Sequence, residues 1–181
     1  MMQIGTDTPL RLFFALWPEA KERKALAAWQ PPLQELCGGR LMLADTLHAT
    51  LVFLGEVGAS RLEALCLAAQ EVEFRRVGLT LTTARYWGHN HIVYAAPDAL
   101  PPPLAELVHD LERSLRKHGF WFEERPYKPH VTLLRGADWT DAPLPPMPAV
   151  HWRFDEFALV QSLRDEQGAH YEVLARFAAA Q

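Results

Sequence analysis

Two four-residue strings, His48-Ala49-Thr50-Leu51 and His130-Val131-Thr132-Leu133, stand 82 positions apart, each inside an apolar run with the alternation of a β-strand. With eight histidines in the chain, only about 0.06 such strings are expected by chance at background residue frequencies. A chain that carries the same strand twice has to build two similar halves or one sheet that uses both copies. The surrounding text favours two halves, because strand and helix patterns alternate around each copy. We therefore expect an α+β protein of two similar lobes.

The other elements follow from period and punctuation. Leu10 to Leu16 reads as a buried strand, and a helix should run from Pro18 through Trp29 until Pro31-Pro32 ends or kinks it, with one more turn over Leu33 to Leu36 closed by Gly38-Gly39. Arg40 to Leu43 is a candidate short strand. Leu47 to Gly55 is a longer one, in which strict alternation puts His48, Thr50 and Val52 on one face and Ala49, Leu51 and Phe53 on the other. Ser60 is placed to cap an amphipathic helix carrying Leu62, Leu65, Leu67 and Val72, with Glu63 as its capping-box partner. Val77 to Thr83 and His91 to Ala95 read as strands joined by a turn near Gly88 to Asn90. Pro101 to Pro103 open a helix carrying Leu104, Leu107, Val108, Leu111 and Leu115, stopped by Gly119. Tyr127 to Arg135 holds the second motif, Ala142 to Pro148 reads as an extended link, and strands over Arg153 to Leu163 and Ala169 to Phe177 close the chain around a turn at Asp165 to Gly168.

Composition excludes several functions. The longest apolar stretches, such as Leu12 to Trp17, span about six residues, far short of the roughly 20 that cross a bilayer. That stretch is also too short for a secretory h-region and lacks a small-residue cleavage site, so a cytoplasmic protein is expected. Cys37 and Cys66 lie 29 residues apart with no metal-ligand spacing. A net charge of −4 argues against coating duplex nucleic acid through a general basic field, so any nucleic-acid contact should be local.

One His-x-Thr string alone would be an ordinary strand histidine beside a residue suited to strands. A matched pair, one per half, supplies an acid and a base if the two imidazoles meet across a cleft, because their unperturbed pKa lies close to 6.5. Displacement at phosphorus needs a base for the attacking water and an acid for the departing oxygen, and two imidazoles provide both without a metal. Thr50 and Thr132, two residues along the same faces, can donate hydrogen bonds to phosphate oxygens.

The paired strings, with Arg11 to Leu16, HATLVFLG over His48 to Gly55, PHVTLLR over Pro129 to Arg135, and Leu159 to Ser162, resemble the 2H phosphoesterases. Among these the chain is most similar to the RNA 2′,3′-cyclic phosphodiesterase family, also called 2′-5′ RNA ligase-like, over nearly its whole length. The resemblance implies one bilobal domain over residues 1–181 with pseudo-twofold symmetry, an antiparallel sheet and helices in each lobe, and a central cleft carrying both motifs. It implies hydrolysis of a terminal 2′,3′-cyclic phosphate on RNA or a nucleotide to a 2′-phosphomonoester, with no cofactor and no metal; a monomer is expected. It assigns His48 as proton donor to the departing 3′ oxygen and His130 as the acceptor that activates water, with Thr50, Thr132 and Arg135 on the phosphate.

Strict alternation from His130 would point Arg135 away from the cleft, so its role requires a bulge or a strand end. Its counterpart in the first motif is Phe53. Tyr127, Arg125 and Lys128 are candidates for the cleft mouth, and Phe13 and Trp17 for base stacking, with a core role favoured for Phe13. His89 and His91 make a poor metal site without a nearby carboxylate or thiol. Arg113, Arg116, Lys117 and His118 form a basic helix end suited to the helix dipole or to an RNA backbone. Two rival functions are 2′-5′ end joining by reversal of the same chemistry and a non-catalytic RNA or nucleotide-binding module, which would need no acid and base pair.

Overall fold

The computed structural model describes residues 7–140 and 143–181. The strands are β1 (Pro9–Leu16), β2 (Arg40–Leu41), β3 (Ala49–Gly58), β4 (Val77–Leu81), β5 (Thr83–Trp87), β6 (Ile92–Ala96), β7 (Val131–Arg135), β8 (Val150–Phe154), β9 (Glu156–Asp165) and β10 (Gly168–Ala178). The helices are α1 (Ala20–Ala27), α2 (Gln30–Cys37), α3 (Leu62–Gln70) and α4 (Pro102–Lys117). One four-stranded sheet has the order β10-β9-β1-β3, a second has β2-β7-β6-β5, and β4 pairs with β8 in a separate ribbon. Every pairing is antiparallel. Each motif thus lies in its own sheet, as the bilobal reading expected.

The inner strands β1 and β6 are buried on both faces, which explains why they read as continuous apolar runs. On β1, Leu12, Phe14 and Leu16 enter the main core while Phe13 and Ala15 join a second cluster with Ala158 and Val160. Strand β6 repeats the division, with Val93 and Ala95 in the main core and Ile92, Tyr94 and Ala96 in a third cluster beside Trp87. Helix α4 buries Leu104, Leu107, Val108, Leu111 and Leu115 along one stripe, as its spacing predicted. The buried Ser114 Oγ donates to the Ala68 carbonyl at 2.7 Å and joins α4 to α3.

Several local expectations are corrected. Pro31 and Pro32 do not end a helix but open α2, because a first-turn proline lacks only an N–H that has no helical partner anyway. The helix before them stops at Ala27. Gly38, at φ 67°, ends α2 as the sequence suggested. Ser60 does not cap α3: its N–H and hydroxyl both donate to the Asp7 carboxylate, at 2.9 and 2.7 Å, and Leu67 is exposed. The run from Val77 to Thr83 is not one strand paired with β6. It splits at Thr82, so that β4 joins β8 and the unforeseen β5 pairs with β6. Residues 143 to 148 carry no regular element, and Ala142 lies outside the described residues.

Candidate active site in the cleft between the sheets

The two motifs are built alike around a bulge at the same residue of each. In β3 the pairing with β1 skips Leu51, passing from Thr50↔Ala15 to Val52↔Phe14. In β7 the pairing with β6 skips Leu133, passing from Thr132↔Tyr94 to Leu134↔Val93. A bulge inserts one residue and reverses the facing of everything after it. Val52 therefore turns into the main core at 3% exposure, and Phe53 joins the cleft-side cluster of Phe13, which reverses the faces that strict alternation assigned to them. The same inversion brings Arg135 to the cleft.

Each bulge is held from outside its own sheet pairing. The carbonyl of Leu133 accepts from the Met42 N–H at 2.9 Å and from Gln30 Nε2 at 2.9 Å, so α2 and the chain after β2 both fasten it. Beside the first bulge, the Thr50 carbonyl accepts from the Tyr127 hydroxyl at 3.1 Å. Tyr127 precedes the second motif, so this bond crosses from one half of the chain to the other. Burial pushes the Tyr127 phenol far above its usual range, which keeps it a donor.

Both histidines are oriented by the same device. His48 Nδ1 lies 2.7 Å from the Thr46 carbonyl, and His130 Nδ1 lies 2.8 Å from the Lys128 carbonyl, in each case two residues back. A carbonyl only accepts, so Nδ1 carries the proton in both rings and Nε2 is the nitrogen that exchanges one. Among the described residues neither Nε2 has a hydrogen-bond partner.

The surroundings differ. His48 lies against Trp17, stacked at 5.4 Å, and against Phe13 and Tyr171 at 5.0 and 5.1 Å between ring centroids. Burial lowers its pKa from 6.5 to about 4; the bond to the Thr46 carbonyl opposes this, and the charges of His130 and Arg135 add to it. His130 meets Trp87 and Tyr94 edge-on at 4.8 and 5.6 Å. Its pKa is also lowered, chiefly by burial, with the Lys128 carbonyl opposing and Arg125 and Arg135 adding.

A cavity of about 410 Å³ lies between the motifs, lined among others by Thr50, Phe53, Trp87, His130, Thr132 and Arg135. His48 is not in its wall; its ring packs among Phe13, Trp17 and Tyr171. Four of the five expected site residues thus line the cavity and the fifth does not. Arg125 and Lys128 also line it, the former paired with Glu123 at 3.3 Å. The hydroxyls of Thr50 and Thr132 and the Arg135 guanidinium have no partners among the described residues.

Trp17 packs on the His48 ring rather than standing free for a base, and Phe13 is 4% exposed. The basic end of α4 is consumed by ion pairs: Arg113 with Asp110, Arg116 with Glu124, and Lys117 and His118 with Glu71. Sequence reading missed Trp87 and Glu112 in the cavity wall and Tyr94 and Tyr171 against the two rings. Only the residue before the turn at Gly88 gave a local signal, since Trp87 shares its hairpin with Tyr94.

A family model described as the 2′-5′ RNA ligase superfamily matches residues 16–166. The RNA 2′,3′-cyclic phosphodiesterase of Escherichia coli is 34% identical over 175 residues, covering 96% of this chain and 98% of that protein. The protein of the same name from Thermus thermophilus is 31% identical, covering 93% and 89%. The crystal structure of E. coli LigT complexed with 3′-AMP superposes with a TM-score of 0.84 at 34% identity, covering 96% of this chain and all of that one. With both motifs placed on bulged strands around one cleft, these likenesses show that the chain belongs to the 2′-5′ RNA ligase superfamily.

Proposed function

We propose that this chain hydrolyses 2′,3′-cyclic phosphates at RNA ends or on nucleotides to 2′-phosphomonoesters, with His48 and His130 as the proton-transfer pair. The observation that carries the reading is the matched anchoring of the two imidazoles: each Nδ1 is tied to a backbone carbonyl and each Nε2 is left without a partner beside a single cleft. That the named relatives are RNA 2′,3′-cyclic phosphodiesterases supports the same activity here.

Water attacks phosphorus opposite the 3′ oxygen and gives its proton to Nε2 of His130. The bond from phosphorus to the 3′ oxygen breaks, and that oxygen takes a proton from Nε2 of His48, leaving a 3′-hydroxyl and a 2′-phosphate. Thr50, Thr132 and Arg135 hold the non-bridging oxygens, whose charge grows as water adds. In the free protein burial keeps His48 neutral near pH 7. An imidazole close to the phosphate anion is favoured in its charged form, which is the form His48 needs to serve as the donor.

The test incubates the full chain, with EDTA present, with a 2′,3′-cyclic mononucleotide and a short RNA bearing the cyclic end. A 2′-phosphate product, lost in His48→Ala and in His130→Ala, is the expected result, and no turnover on either substrate overturns the reading. The assignment of roles has its own test, a cyclic substrate with sulfur in place of the 3′ oxygen. A thiolate leaves without a proton, so His48→Ala regains much of its lost activity there and His130→Ala does not; the reverse pattern exchanges the roles.

A further inference from the structure

Beyond the cleft, β3 continues to Gly55, where the chain takes a positive φ of 65°. The positive φ is what favours glycine here, and a Cβ at this position would stand at ordinary contact distance from Trp121, 3.4 Å, and Phe53, 3.8 Å, so both aromatic rings lie beside one stretch of strand. Phe53 lines the cleft. Trp121 is 65% exposed, while its neighbours Phe120 and Phe122 are each 5% exposed. The segment that carries it is fastened to the cleft strand, because the Glu123 N–H donates to the Phe53 carbonyl at 2.9 Å.

Beside Trp121 lies a second hollow of about 420 Å³, lined by Arg116, Phe120, Trp121, Phe122, Glu123 and Glu124. Glu123 borders both this hollow and the cleft, so the two are neighbours on the surface. Its carboxylates do not present bare negative charge: Glu123 is paired with Arg125 and Glu124 with Arg116. Arg11 lies 4.8 Å over the Phe53 ring and has no ion pair among the described residues. At a strand rise of about 3.3 Å per residue, Gly55 stands roughly 15 Å from Thr50. A mononucleotide held at the histidines does not extend that far, but the preceding nucleotides of a strand do.

We propose that Trp121 and the hollow beside it form a subsite for single-stranded RNA upstream of the reacting end, Trp121 stacking on a base and Arg11 meeting the backbone. The proposal rests on the functional reading above and adds a preference for oligonucleotides over mononucleotides. An exposed aromatic ring beside a guanidinium suits this ligand because every base offers a π-face, so stacking tolerates any sequence.

The test measures binding rather than turnover. A 5′-labelled pentauridylate ending in a 2′-phosphate is titrated by fluorescence polarisation with the full chain, and unlabelled uridine 2′-phosphate competes. The parent is expected to bind the pentanucleotide more tightly than the mononucleotide. Trp121→Ala should shrink that preference by about tenfold, and Trp121→Phe should recover most of it. Equal losses on both ligands, or an unchanged preference, overturn the proposal. A parent that holds the pentanucleotide through Trp121 yet opens no cyclic phosphate keeps the subsite and overturns the catalytic reading. A parent that turns over cyclic mononucleotides but prefers no longer RNA overturns the subsite alone, and one that binds neither ligand overturns it as well.

Discussion

The two motif strands share a backbone plan and differ in what surrounds it. Each is immediately preceded by a histidine bonded to the carbonyl two residues back, and carries a threonine two residues after that histidine and a bulge at the following leucine. After the bulge, one strand sends Phe53 to the cleft and the other sends Arg135. The His48 ring is enclosed by Phe13, Trp17 and Tyr171, whereas the His130 ring meets Trp87 and Tyr94 edge-on at the cavity wall. The backbone supplies equivalent positions, and the lining makes them unequal: one half packs aromatic rings around its imidazole, the other sets its imidazole in the cavity wall beside a cation.

The largest expected effect comes from abolishing the pair. His48→Ala or His130→Ala should each lower kcat by about 10³-fold on a cyclic nucleotide, with the double variant little worse than either, as befits groups that act as a unit. Additive losses would show that the histidines act separately.

The unequal burial has a consequence for stability. A histidine whose pKa is lower in the folded chain binds more protons unfolded, so its contribution is intact above 6.5 and is lost as pH falls from there toward the folded value. For His48, with a folded pKa of about 4, the loss amounts to about 3 kcal/mol by pH 4. Urea unfolding at pH 7 and at pH 4.5 should show it, and His48→Gln should reduce the difference more than His130→Gln does.

Arg135 and Phe53 test the asymmetry after the bulge. Arg135→Ala should reduce kcat/KM by about a hundredfold through lost stabilisation of the phosphate charge, with Phe53→Ala affecting it far less. Comparable losses would mean that Arg135 serves packing. Thr50→Val and Thr132→Val should each cost about tenfold in kcat/KM, the size of one hydrogen bond to a charged group, and similar values would extend the backbone equivalence to function. The smallest effects concern the bulge supports. Tyr127→Phe and Gln30→Met should each destabilise the fold by about 1 kcal/mol in urea unfolding.

Much of this was written locally. The strands bearing His48 and His130, the apolar stripe of α4 and the two-sided burial of β1 follow from residue order within a few positions, where side-chain period and proline or glycine decide the backbone. Arg135 was legible only as a condition, namely that it needs a bulge. Strand pairing supplied that bulge at Leu133 and a matching one at Leu51, and no local pattern marks either, since a skipped residue exists only relative to a partner strand. The division of Val77 to Trp87 between two sheets was hidden for the same reason, because β4 finds its partner some 70 residues away.

By itself, then, the sequence determined which residues stand on the motif strands and that two imidazoles and two hydroxyls come as a pair. Only the tertiary structure decided which side of the strand Phe53 and Arg135 face and how dry each histidine is. Those properties come from packing between residues far apart in the chain: Trp17 and Tyr171 against His48, Gln30 against Leu133, Tyr127 against Thr50. A proton affinity set by burial cannot be read from neighbours in sequence, because the groups that exclude water arrive from elsewhere.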